Sequence, residues 1–326
     1  QPIGDLGKRL ARAVKEHPSS WDLQVKGTPG LTAGLNAAGI LPTRNFRQGA
    51  FEGVEKLRWE AYEKELLTAR RSCYACAVRC KREVKVEDRY QVTDAYGGPE
   101  YETIAGFGSN CGIDDLQAVA KANELCNRYT MDSISTSSAV SFAMECFEHG
   151  LIGPKETGGL ALHFGNAEAM VRCVELIARR EHIGDLLAEG TRRAAEVIGG
   201  DARFFAMQVK GQELPMHDPR GKVGVGLGYA INEAGADHLT AAHDPTLANP
   251  DSLSFRAAQP LGITEALAPP RVAAAAVRPE AGPQALLGAA PLQQQLAAGV
   301  EDEDREGAVE HAGAVVAGGL VEVAEL

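Results

Sequence analysis

Apolar residues recur every three or four positions along most of this chain, the spacing that lines one face of an α-helix. Leu6, Leu10 and Val14 predict an amphipathic helix over 5–15, and Leu57, Tyr62, Leu66 and Leu67 predict another over 54–71. The clearest helix starts at Asp114 or Asp115, either of which accepts hydrogen bonds from the free N–H groups of a first turn. Leu116, Val119, Ala120, Asn123 and Cys126 continue it. A further helix is expected over 137–148 and stops at Gly150, a residue type suited to the left-handed position after a helix end. Asn166 is expected to cap a helix carrying Met170, Val171, Val174 and Ile177, and 183–197 repeats the pattern up to Gly199-Gly200. Strand-like alternation is confined to 83–86 and 204–209, while Gly27-Thr28-Pro29-Gly30 and Pro42-Thr43-Arg44-Asn45-Phe46 read as irregular connections. The expected fold class is mainly α, multihelical.

At 326 residues the prior is about two domains. Gly199-Gly200 suggests a boundary near 200–210, giving a helical domain over 1–205 and a second piece over 206–268. After Phe255 the chain has no aromatic residue, Lys or Cys, and 269–326 is an Ala- and Gly-rich tail. Such a segment has little with which to offset its ordering entropy, so poorly packed helices or disorder are expected there. No apolar run approaches the length of a membrane helix. The net charge of -11 argues against nucleic acid as a partner, since a polyanion is repelled. The chain opens Gln1-Pro2-Ile3-Gly4 without Met or a signal region, which reads as an internal piece of a longer protein.

Seven cysteines are present, and Cys73, Cys76 and Cys80 form a C-x2-C-x3-C run. An odd count with three thiols crowded together fits a reducing, cytoplasmic setting better than a disulfide scaffold. Thiolates spaced this tightly converge on one polynuclear centre, and a 4Fe-4S cluster is held by four such ligands. Zinc is the main rival, but its sites usually pair two knuckles or add histidines, and neither lies nearby. Three cysteines packed in a helix for bulk is the plain alternative. Arg70, Arg71, Arg79, Lys81 and Arg82 surround the run. For most of these a solvated surface is the better reading. Arg79, between two ligands, is the exception, as a cation that would raise the cluster's potential.

These residues resemble the tungsten-dependent aldehyde:ferredoxin oxidoreductases. The resemblance rests on C-Y-A-C-x-V-R-C-K-R, Gly98-Pro99-Glu100-Tyr101-Glu102-Thr103, Ile113-Asp114-Asp115-Leu116, Met131-Asp132-Ser133-Ile134-Ser135 and Gly235-Ala236-Asp237-His238-Leu239. It runs from about residue 3 to 250. It implies the second, helical domain and part of the third, with the 206–268 piece lining an active site and the family's β-rich first domain absent. It also implies oxidation of a small aldehyde to a carboxylate at a tungsten (or molybdenum) bis-pyranopterin, with electrons leaving through the 4Fe-4S cluster to ferredoxin. Assembly as a homodimer or hetero-oligomer would follow the family. Cys73, Cys76 and Cys80 match its local cluster ligands. Its first pterin motif falls on Asn127 to Asp132 and is only partly kept, so Asn127, Met131 and Asp132 are the candidate pterin contacts. The fourth cluster cysteine belongs near the family's C-terminus, and no cysteine here follows Cys173. The tail resembles nothing in the family, as a truncated or frame-shifted gene would produce; sequencing the locus tests that.

Two alternatives stay open: a related subunit that reduces aromatic thioesters, and a non-catalytic iron–sulfur electron-transfer module. For proton chemistry the first candidate is Glu102, which matches the family glutamate near the substrate, with Glu100 its nearest competitor. His238 matches the family histidine in the same cavity and ranks ahead of His217. His217 and His243 both precede Asp-Pro, a setting in which an imidazole often satisfies local backbone. The glycines at 221, 224, 226 and 228 lack dinucleotide-fingerprint spacing and read as close backbone approach to pterin or to a neighbouring helix. Arg220, in Asp218-Pro219-Arg220, is either a phosphate holder or part of a plain turn.

Overall fold

Helix α1 (Pro2–Glu16) is followed by α2 (Pro18–Val25), α3 (Thr32–Ala37), α4 (Trp59–Glu65) and the strands β1 (Leu67–Arg71), β2 (Lys81–Val84), β3 (Val86–Glu87) and β4 (Gln91–Val92). Then come α5 (Tyr101–Phe107), α6 (Leu116–Tyr129), α7 (Ser133–Glu148), α8 (Ala167–Arg179), α9 (Ile183–Leu187), α10 (Thr191–Ile198) and α11 (Ala202–Phe205). Strands β5 (Gln208–Val209) and β6 (Gln212–Glu213) precede α12 (Val223–Ile231), α13 (Asp244–Leu247) and α14 (Leu253–Ala258). This computed structural model describes residues 2–240, 243–247 and 249–262. The 269–326 tail lies outside them. The fold is multihelical as expected, 53% of the described residues being helical, and the strands among them form only two-stranded antiparallel pairs.

The core centres on α5, α6 and α7. Six of the seven residues of α5 are buried, and α7 is buried continuously from Thr136 to Cys146. A methyl group added at Gly106 of α5 would overlap the Ser137 hydroxyl of α7, so a bare backbone there sets how closely the two helices approach. The caps read from sequence are present: Asp115 accepts from the Gln117 and Ala118 amides, and Asn166 from the Ala169 amide. Helix α7 starts earlier than its apolar pattern, because Asp132 accepts from the Ser135 amide and begins the helix at Ser133.

Three sequence expectations are corrected. The 54–71 pattern is not one helix: α4 ends at Glu65, and 67–71 is a strand paired with β2. Leu57, Tyr62 and Leu66 are buried as the periodicity required, but pairing with a segment beyond the cysteine run captures the rest. The 183–197 pattern is two helices, because Gly190 takes a φ of 88° between α9 and α10. Only Gln208–Val209 of the 204–209 alternation is extended, the earlier part being the short helix α11. The stripe on α1 forms as predicted, yet Leu6 and Leu10 stay exposed.

The Pro42–Phe46 connection is stiffened by a buried polar network. Arg44, Asn45 and Phe46 all adopt left-handed φ values of 47°, 52° and 62°, a conformation costing about 1–2 kcal/mol per residue without glycine. Asn45 offsets this by donating to Glu145 (2.5 Å) and to the Phe205 carbonyl (2.8 Å), while its backbone amide donates to the Asn110 carbonyl at 2.9 Å. Burial raises the Glu145 carboxyl to about 7, against the pull of Asn45 and Arg47. The protonated acid therefore favours the folded chain fully below the ordinary glutamate range, and that contribution is lost as pH rises through about 7. Relative to Glu145→Gln, the wild type is expected to lose about 3 kcal/mol across that window in urea unfolding at a series of pH values. A difference independent of pH would count against this assignment.

Candidate active site

The cysteine run is the loop of the β1–β2 hairpin. Cys73 is exposed, Cys76 and Cys80 are half-buried, and all three are free thiols. Left-handed residues Ala75 (φ 54°) and Arg79 (φ 59°) fold the loop back on itself between the thiols. Beneath it, Gly27 comes so close that a Cβ there would lie 2.8 Å from the Cys80 carbonyl oxygen. Arg82 is buried and braces the loop: its guanidinium donates to the Arg79 and Lys81 carbonyls and to those of Leu23 and Gln24 at the end of α2. Arg70 pairs with Glu63, Arg71 with Glu83 and Lys81 with Glu100. The donors present suit an iron–sulfur cluster: three unpaired thiols on one hairpin loop, an exposed face, and cations beside them.

Glu100 links this loop to a second site. It binds Lys81 at 3.0 Å and the Thr28 hydroxyl, which in turn accepts from the Tyr101 amide at 2.9 Å. Two residues further along, in the first turn of α5, the Glu102 carboxylate meets a group of histidines. Its Oε1 lies 2.8 Å from His217 Nε2 and 3.6 Å from His238 Nε2, while Oε2 accepts from the Met216 amide at 2.7 Å. His217 Nδ1 is 2.6 Å from Lys222 Nζ, which also approaches His243 Nδ1 at 3.3 Å. Tyr101 and Tyr229 donate to the Met216 and His217 carbonyls at 2.5 and 3.2 Å and hold that segment in place.

The electrostatics are set by burial and by neighbours. Burial pushes the Glu102 carboxyl up, but the His217 hydrogen bond, the two imidazoles and the Met216 amide outweigh it and leave it below its usual value. Burial lowers His217, His238 and His243, so these rings are neutral near pH 7. The favoured state is an ionised carboxylate against neutral imidazoles, which leaves Glu102 unprotonated near pH 7 and so open to a proton.

Glu102, His217 and His238 also lie close enough to gather a metal ion, with one ligand atom from each within 4.8 Å of the others. Lys222 argues against that use. A metal-bound imidazole ordinarily donates its other N–H to an acceptor, whereas a charged lysine at Nδ1 offers only donors.

The structure brings Glu102 and His238 to 3.6 Å of one another and adds His217, which lies nearer to Glu102 at 2.8 Å. Glu100 serves Lys81 and Thr28 instead. Asn127, in the last turn of α6, and Asp132, just before α7, are exposed. Asn127 donates to the Tyr96 carbonyl at 3.2 Å and Asp132 caps α7; Met131 beside them is half-buried. Arg220 is committed to Asp218 and to the Phe46 carbonyl, which supports the plain turn. The glycine ladder lies mostly in α12, where a Cβ at Gly226 would come 2.9 Å from Pro219 and one at Gly221 would overlap Ile40. Lys222 was not anticipated. Its one sequence signal is a charged residue set among glycines and valines.

A family model described as aldehyde ferredoxin oxidoreductase, domains 2 and 3, matches residues 5–279, beyond the span of the expected resemblance. The tungsten-containing aldehyde ferredoxin oxidoreductase of Pyrococcus abyssi is 39% identical over 247 residues, covering 73% of this chain and 40% of that protein. The protein of the same name from Thermococcus kodakarensis is 41% identical over 214 residues, covering 65% and 34%. The aliphatic sulfonate oxidoreductase, WOR-like subunit, of Pyrococcus furiosus is 32% identical over 183 residues, 53% and 28%. This chain therefore spans at most about two fifths of the length of these relatives. Among solved structures, the active site complex BamBC of benzoyl coenzyme A reductase with 1,5 dienoyl-CoA aligns with a TM-score of 0.48 and 22% identity, covering 65% of this chain and 31% of that one.

Proposed function

The chain belongs to the aldehyde ferredoxin oxidoreductase family, and from that premise we propose that it is the helical portion of an enzyme oxidising an aldehyde with water to a carboxylate. The reaction releases two electrons and three protons. The observation that carries this reading is the half-buried Glu102 carboxylate held between His217 and His238. An acceptor for protons released at carbon-bound oxygen needs that chemistry.

When bound, a tungsten (or molybdenum) bis-pyranopterin would take the two electrons, and a 4Fe-4S cluster on Cys73, Cys76 and Cys80 would pass them singly to ferredoxin. Asn127, Met131 and Asp132 are the residues offered to the pterin, the first and last exposed and Met131 half-buried. Glu102 Oε1 accepts the proton released as the aldehyde carbon gains oxygen. His217 keeps the carboxylate oriented and ionised, and His238 lines the same face. The Lys81–Glu100 pair joins the end of the cluster loop to the turn that carries Glu102, so the electron and proton sites are neighbours in the fold. In this reading the 1–205 and 206–268 pieces meet at the site, Glu102 coming from the first and the histidines from the second. The setting is cytoplasmic. No helix among the described residues is long and apolar enough to cross a membrane.

The test is anaerobic purification of the full-length gene product, with metal analysis and aldehyde-dependent reduction of ferredoxin. Iron, acid-labile sulfide and tungsten or molybdenum together with aldehyde turnover are expected. Iron and sulfide alone would indicate an electron-transfer module, turnover of aromatic thioesters instead of aldehydes the ring-reducing alternative, and a colourless, iron-free protein would end the proposal.

A further inference from the structure

Buried lysines are uncommon unless something specific pairs them. Lys222 is 2% exposed, and its ammonium meets two imidazoles rather than a carboxylate. Its own backbone is pinned, with the amide donating to the Asp218 carbonyl at 3.0 Å and the carbonyl accepting from Gly226 at 2.9 Å as α12 begins.

The two imidazoles report which way the protons lie. His243 Nε2 is 2.9 Å from the His238 carbonyl. A carbonyl only accepts, so His243 carries its proton on Nε2 and turns the bare Nδ1 toward Lys222. Lys222 Nζ is therefore the donor at His243. The same ammonium lies 2.6 Å from His217 Nδ1, and a charged lysine has no lone pair to offer. The His217 proton is left on Nε2, a nitrogen 2.8 Å from Glu102 Oε1, which has no other partner among the described residues closer than His238 Nε2 at 3.6 Å.

We propose that Lys222 is the positioning residue that fixes the tautomer of His217 and thereby keeps Glu102 ionised and ready to accept a proton. Without that ammonium, only the Glu102 carboxylate favours a hydrogen on Nε2, and Nδ1 is free to carry it once Glu102 takes up a proton. The alternative tautomer sets a nitrogen lone pair against a carboxylate oxygen, which favours a protonated Glu102 unable to act as a base. By binding His243 as well, whose other nitrogen holds the His238 carbonyl, the same group ties together the segments that carry both histidines beside Glu102. The charges around Lys222 are those of Glu102 and Asp244, which favour its protonated form; burial opposes them and lowers it to about 8. His217 faces Glu102, Lys222, His243 and His238, and His238 faces Glu102, His217, Asp237 and Lys222. The tautomer is thus held at pH 7 and released as pH passes about 8. The proposal rests on the acid–base reading of Glu102, but its test does not depend on turnover.

The experiment is long-range proton–nitrogen correlation NMR on the full chain with 15N-labelled histidine, the His217 signals being identified by their loss in His217→Gln. At pH 7 the wild type is expected to show His217 and His243 with bare Nδ1 and protonated Nε2. In Lys222→Met, His217 becomes a mixture of tautomers, and its protonation midpoint rises by about one pH unit as the adjacent cation is lost. Lys222→Arg restores the single tautomer. A wild-type His217 carrying its proton on Nδ1, or on both nitrogens, would overturn the proposal whether or not the methionine variant folds. So would a folded Lys222→Met with an unchanged His217 spectrum. Absence of aldehyde turnover alongside the expected spectra would count against the reaction and leave the role of Lys222 standing.

Discussion

Glu102→Gln is expected to lower the turnover of aldehyde by the complete enzyme about a thousandfold, within the range a positioned general base contributes. Glutamine keeps the shape, and its carbonyl oxygen can still accept from the Met216 amide. What it loses is the ability to take a proton at the atom 2.8 Å from His217. The loss should fall on kcat, because the interaction is made as the proton moves and not when substrate binds. The pH profile carries a second signature. Because Glu102 is held below the usual carboxylate range by its histidines, the wild-type rate should persist on the acid side until that range has been passed. The residual rate of the glutamine variant should show no such acid limb. Steady-state kinetics across pH, with a thermal melt to confirm that the variant folds, make the measurement. A loss of less than tenfold would make Glu102 a structural carboxylate.

Where the helices lie was readable wherever the signal was local. Asp115 and Asn166 announce α6 and α8 because a cap acts within three residues. The 54–71 segment failed because its fate is decided at a distance. Leu57, Tyr62 and Leu66 do face the core, but Leu67–Arg71 is claimed by Lys81–Val84 across the cysteine loop. Periodicity carries no information about that partner. The site divides in the same way. Glu102 and His238 were found from motifs that resemble a family. His217 was placed second because an imidazole before Asp-Pro is so often spent on its own turn, and its contact with Glu102 joins residues far apart in sequence. Lys222 could not be found at all. Lysine is ordinarily a surface residue, and its burial here depends on two histidines that only the folded chain delivers.

The other large effect concerns the cysteine loop. Anaerobic reconstitution of the chain with iron and sulfide is expected to incorporate an iron–sulfur cluster, and serine at Cys73, Cys76 or Cys80 should each lower bound iron and sulfide at least about tenfold, as befits thiolate-held clusters. The hairpin supplies three thiols on one turn, and a hydroxyl is a poor substitute for any of them because iron–sulfur centres favour soft ligands. Cys111, Cys126, Cys146 and Cys173 serve as controls. All four are buried in the core, and burial raises their thiols to about 12 or beyond, so they stay protonated and are poor ligands. Cys173→Ala should therefore cost stability through lost packing while leaving the iron content unchanged. Equal loss from the control and from the hairpin variants would mean that iron binding reflects overall folding. Retention of one zinc per chain, with no sulfide, would replace the cluster with a mononuclear site. Bracing by Arg82 sharpens the expectation, because the Arg79 and Lys81 carbonyls on either side of Cys80 are already held by a buried guanidinium. Part of the ordering cost of that end of the loop is met before any metal arrives, so the serine variants should keep the fold of the apoprotein and lose only the metal.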